Sequence, residues 1–226
     1  MIMTIAKGRT DCESEREIIV QGFNDLLRVL KEAKKQTEEH AKAALYDIIN
    51  DNRLSEEERR TQMKPFNDLL SEQEESDIRI RRTILIGLFA FCELSLKNIC
   101  GYYKIDVGAT DDPKTPNNKR VKKGKRTCVN DYINAIFRLG RPDVVELIIT
   151  EIKELRNYMV HGSADEKRRS IIDKLVDSHP EFCIAKNCGD YHISSYNGLD
   201  SILRNIYDSL EIAETTIKTI AESIKS

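Results

Sequence analysis

Apolar residues recur along most of this chain with the period of an α-helix. In residues 13–50 a first stripe runs through Ile18, Ile19, Phe23, Leu26, Leu27 and Leu30. It thins across the charged residues 34–42, returns at Ala43, Ala44, Leu45, Ile48 and Ile49, and stops at Asp51 and Asn52. Ser55 followed by Glu58 is a capping box, which predicts the start of a short polar helix. Pro65 fits the first turn of a further piece ending near Leu70. Residues 76–103 are apolar around well over half of a helical circumference, through Ile80, Ile84, Leu85, Leu88, Phe89, Phe91, Cys92, Leu96 and Ile99. Such a helix is expected at the centre of a fold. Glu93, in the middle of that run, needs a partner if buried; on the polar edge it would stand beside Lys97.

Beyond this helix the pattern breaks. Residues 105–126 carry the breakers Pro113, Pro116 and Gly124 and read as a loop. Helical spacing resumes over Thr127–Leu139, stops at Gly140, restarts with Pro142 and runs to about Val160. A further amphipathic helix covers Asp165–Val176. Around Lys186 to Gly189 the period changes to two, which predicts a small β-hairpin. There Phe182, Ile184, Tyr191 and Ile193 share one face, opposite Cys183 and His192. A last helix spans Leu199–Ile224.

Composition narrows the function classes. The chain has 226 residues, 33% of them charged, and a net charge of −2. A near-neutral balance means that binding to a polyanion must come from a local patch. One patch is evident. Residues 114–126 hold seven basic and no acidic side chains, and Lys119, Arg120, Lys122, Lys123, Lys125 and Arg126 form an expected phosphate-contacting arm. A solvated loop is the plainer reading of such a run. The six cysteines are scattered, and Cys92 and Cys100 sit where a free thiol acts as a small hydrophobe. The N-terminus lacks a signal-peptide pattern. No run reaches the roughly 18 consecutive apolar residues of a membrane span, so a cytoplasmic protein is expected.

Two constellations could carry chemistry. His179, Cys183, Cys188 and His192 are residue types that bind zinc, but their spacing is not a common zinc pattern and the hairpin accounts for them. No metal and no cofactor are expected. The other constellation is residues 156–161. Ile148, Ile152, Leu155 and Met159 share the core face of their helix, which turns Asn157 and His161 away from it. Arg156 lies on the flank. A guanidinium can grip a phosphate through two hydrogen bonds, and an imidazole moves protons near neutral pH. RNA brings its own nucleophile, the 2′-hydroxyl, so an Arg and a His suffice for strand cleavage. The plainer reading pairs Arg156 with Glu151 or Glu154 and leaves His161 to cap the helix. The cluster faces away from its own core, so it becomes a site when a second copy packs against it.

The stretch Leu155 to Gly162 (LRNYMVHG) resembles the Arg-x4-6-His motif of HEPN domains, with Asn157 in the polar position after the Arg. The apolar helix with Glu93 in its middle, the hairpin and the last helix extend the likeness over residues 76–220. The resemblance implies an all-α, up-and-down HEPN-type bundle over residues 76–226 with a small β-hairpin near the C-terminus; residues 1–75, without a counterpart in minimal HEPN domains, are expected to form a helical extension. It implies a homodimer with a composite cleft and a metal-independent endoribonuclease, of the kind used as toxins or antiphage effectors. Arg156 and His161 are then catalytic, Asn157 supports them, and Glu93 is a further candidate. The expected partners are RNA, a second copy and an antitoxin or defence-system protein. The alternative is a non-catalytic RNA- or protein-binding module. Ser163 stands where HEPN toxins silenced by AMPylation carry a Tyr, so that control is not expected.

Overall fold

A computed structural model describes residues 2–103, 147–187 and 190–223. The predicted loop at 105–126, the helix Thr127–Leu139, the helix start at Pro142 and Cys188 lie outside the described residues. Among the described residues the fold is all-α with one two-stranded hairpin near the C-terminus, as the sequence predicts.

Two long helices form an antiparallel pair, α1 (Ile2–Asn50) and α2 (Glu56–Tyr102). The turn between them follows from its residues. The Leu54 N–H donates to the Asp51 carbonyl at 3.2 Å. The Asp51 carboxylate accepts from the Arg53 side chain and backbone, which holds its carboxyl down at about 2. The Ser55 hydroxyl then accepts the Glu58 N–H, and the Glu58 carboxylate accepts the Ser55 N–H at 2.8 Å. This is the predicted capping box. Pro65 corrects the prediction, because α2 passes through it without a break. Proline removes one N–H from a helix interior and leaves the carbonyl four residues earlier without its bond. Thr61 and Pro65 are both exposed, so that carbonyl lies on the wet side of the helix.

Among the remaining described elements, the helix that ends before Gly162, the second hairpin strand and the last helix pack on α2. A π-helical turn (Leu147–Ile152) runs into α3 (Lys153–His161), followed by α4 (Glu166–Ser178), β1 (Ile184–Asn187), β2 (Asp190–Ile193) and α5 (Tyr196–Ser223). The core joins Leu85, Leu88, Phe89 and Leu96 of α2 with Leu155 and Met159 of α3, Ile172 and Leu175 of α4, and Leu199 to Ile217 of α5. Burying each such side chain contributes about 1.5–3 kcal/mol. Cys92 and Cys100 lie in this core, and burial pushes the Cys92 thiol up to about 12. The first stripe of α1 divides: Leu27 is fully buried, whereas Ile18 is 71% exposed. α2 includes a stretch long and apolar enough to cross a membrane, of which 56% is buried within the protein.

Arg81 is the largest fully buried side chain among the described residues. Its Nε donates to the Ile193 carbonyl and its Nη2 to Glu74, both at 2.7 Å. The Tyr196 ring covers it, and the Tyr196 hydroxyl donates to Asp77 at 2.8 Å. The guanidinium thereby locks the end of β2 onto α2. The hairpin pairs Ile184 with Ile193 and Lys186 with Tyr191. Phe182, Tyr191 and Ile193 are buried as the alternation predicts, although residues 180–182 form a 3-10 turn instead of strand. Gly198 lets α5 approach that turn, since a Cβ there would collide with the Phe182 carbonyl.

Candidate functional site

The predicted core face is buried at Ile152, at the end of the π-helical turn, and at Leu155 and Met159 of α3. It ends at Gly162, whose φ of 67° is the left-handed conformation that glycine adopts without strain. The Gly162 N–H donates to the Tyr158 carbonyl at 2.8 Å. Arg82 reaches from α2 to donate to the Val160 carbonyl at 3.4 Å.

Arg156 departs from the plainer reading. Glu151 pairs with Lys174 and Glu154 with Arg168, both on α4. Arg156 instead turns to α2. Its guanidinium carbon lies 4.5 Å over the Phe89 ring, and its Nη2 is 3.9 Å from Glu93. Its Nη1 donates to the Asn157 side-chain oxygen at 2.8 Å. Three of the four predicted catalytic residues, Arg156, Asn157 and Glu93, therefore meet on the α2–α3 seam. The Arg156 side chain is 24% exposed and that of Glu93 40%. The cation is held by packing and one hydrogen bond, and its Nη2 makes no direct hydrogen bond among the described residues.

His161 stands apart. It is exposed and has no hydrogen-bond partner among the described residues. Five residues along a helix amount to a rotation of about 140° between Arg156 and His161. A single chain therefore presents the cation and the imidazole on different flanks. The expected arm from Lys119 to Arg126 lies outside the described residues.

Sequence reasoning missed the cavity at this end of α3. It has a volume of about 350 Å³ and lies between α2, the end of α3 and β2. Tyr158, Met159 and Gly162 line it on one side, with Arg82 on another and Asp190 and His192 on β2. The Tyr158 hydroxyl donates to Asp190 at 2.5 Å, and its ring meets Tyr191 edge-on at 5.2 Å. Burial, and then the Asp190 carboxylate, push the Tyr158 hydroxyl up. The available signal was the hairpin alternation, which sets Asp190 and His192 on one face. Tyr158 lay inside the motif itself.

His179, Cys183 and His192 do not assemble. His179 bonds Glu181 at 2.9 Å and stacks on Phe182, and the Cys183 thiol points to the Glu181 carbonyl. Among the described residues no three metal-binding side chains come together. No known protein family, no curated protein and no solved structure matches the chain.

Proposed function

We propose that the chain is an endoribonuclease of the HEPN type, acting as a homodimer on RNA in a toxin or antiphage-defence role. The observation that carries this reading is the seam itself. Arg156 is pre-set by Phe89, Asn157 and Glu93, and His161 is free at the exposed end of the same helix. A phosphate approaching the seam meets a guanidinium with donors to spare. The 2′-oxygen attacks the adjacent phosphorus and the bond to the 5′-oxygen breaks. His161 takes the 2′-hydroxyl proton, or returns one to the leaving oxygen. Arg156 stabilises the charge that develops on the phosphoryl oxygens. The 140° between the two residues is bridged when a second copy sets its own helix end against the first.

The test is direct. Purified protein is expected to cleave RNA in EDTA and to leave 2′,3′-cyclic phosphate ends, and to scatter light as a dimer. A monomer at micromolar concentration, or unchanged cutting by His161→Ala, overturns the reading. A second reading, a non-catalytic RNA- or protein-binding module, has one observation in its favour: Arg156 is already engaged within its own chain. It predicts RNA retention without cleavage, and equal retention by His161→Ala.

A further inference from the structure

We propose that the cavity at the end of α3 binds a guanine base of the RNA strand, beside the phosphate on which His161 acts. The proposal rests on the ribonuclease reading and names a specificity within it. Position is the first argument. Met159 and Gly162, which flank His161 in the chain, both line the cavity. A nucleotide whose phosphate lies at the helix end has its base within one sugar of this space.

Size and walls are the second argument. A volume of about 350 Å³ is at the small end of the roughly 300–1,000 Å³ of ligand pockets. That leaves room for one base and not for an extended ligand. Tyr158, Tyr191 and Met159 supply aromatic and soft apolar surface, which a planar base covers well.

The polar groups decide which base. Arg82 enters from α2, and among the described residues its guanidinium makes one long contact, 3.4 Å to Val160, which leaves most of its donors unused there. Asp190 enters from β2. One of its oxygens accepts from the Tyr158 hydroxyl, and a carboxylate has acceptor capacity beyond one bond. The cavity therefore offers, beside the His192 imidazole, a cationic double donor and an anionic acceptor. Guanine matches this pair: its O6 and N7 accept from an Arg fork, and its N1–H and N2–H donate side by side to one carboxylate. Adenine would turn its N1 lone pair toward the carboxylate and its amine toward the guanidinium. Cytosine offers the carboxylate one amine only. Uracil has a single N–H between two carbonyls.

The experiment separates this proposal from the reading beneath it. Binding of the four nucleoside 3′-monophosphates to the His161→Ala protein is measured by calorimetry in EDTA, beside cleavage of mixed-sequence RNA by the wild-type protein. Guanosine 3′-monophosphate is expected to bind about tenfold more tightly than the other three. Asp190→Asn keeps an oxygen for the Tyr158 hydroxyl and removes the anionic acceptor. It is expected to weaken guanosine binding about tenfold and to level the preference. Arg82→Gln, at an exposed position, should do the same. Equal binding of the four, tightest binding of the cytidine nucleotide, or a guanosine preference that survives both variants overturns the proposal. Guanosine binding that is sensitive to Asp190→Asn, in a protein that cuts no RNA, keeps the pocket and sinks the nuclease. Cutting without base preference does the reverse.

Discussion

Arg156 and His161 sit five residues apart on one helix, yet their surroundings are opposite. The guanidinium rests over Phe89, gives one hydrogen bond to Asn157 and faces Glu93. The imidazole stands exposed in the last turn of α3, past the buried Met159. One half of the candidate chemistry is therefore built before any ligand arrives, and the other half is completed by what docks. The difference suits the two tasks proposed for them. Charge stabilisation is most effective from a fixed donor in a partly dry setting. Proton transfer needs contact with the reacting oxygen, and that contact is made only in the complex.

The largest expected effect tests the exposed half. His161→Ala should lower RNA cleavage by about 100- to 10,000-fold, the usual range for a lost general acid or base. Thermal melting should shift by less than about 2 °C, because the side chain is exposed. A melting shift of several degrees would show that the imidazole holds structure, and the contrast with Arg156 would collapse.

Arg156→Ala comes next and should differ in kind. The rate is expected to fall by about 100- to 1,000-fold. Stability should fall as well, by about 1–2 kcal/mol, since both the contact with Phe89 and the bond to Asn157 disappear. In a chain of this size that is a melting drop of roughly 2–8 °C. Arg156→Lys sharpens the point. It restores the charge without the planar fork, so the rate should remain well below wild type. Full recovery by Lys would mean that a point charge suffices and that the Asn157 bond is incidental.

The sequence disclosed these two residues unequally, for a physical reason. His161 was placed correctly by helical geometry alone, because an exposed side chain is positioned by its own backbone. Arg156 was not, because its direction depends on a partner some sixty positions earlier. Local spacing offered Glu151 and Glu154, but α4 supplies Lys174 and Arg168 to take them. Elsewhere the division is the same. The capping box at Ser55 and Glu58 and the alternation at Tyr191 and Ile193 are local and were legible. Arg81 was not. It lies between the polar neighbours Arg79 and Arg82, and its burial depends on the Ile193 carbonyl and the Tyr196 ring far along the chain. Pro65 misled because a proline signal carries no information on whether its helix face is wet.

Glu93→Gln is the smallest effect and the finest probe of the pre-set half. The pair with Arg156 spans 3.9 Å and Glu93 is 40% exposed, so breaking it should change stability by less than about 1 kcal/mol. Gln keeps the length and one acceptor oxygen, so Arg156 should stay over Phe89. If Glu93 serves only to aim the guanidinium, the rate should fall by no more than about tenfold. A carboxylate that carried a proton in the reaction would lose about 100-fold or more on the same substitution. A rate measured beside melting distinguishes the two. A small loss in both leaves Glu93 as a positioning residue for Arg156. A large rate loss with unchanged melting moves the proton chemistry onto the seam, and with it the division of labour between the two ends of α3.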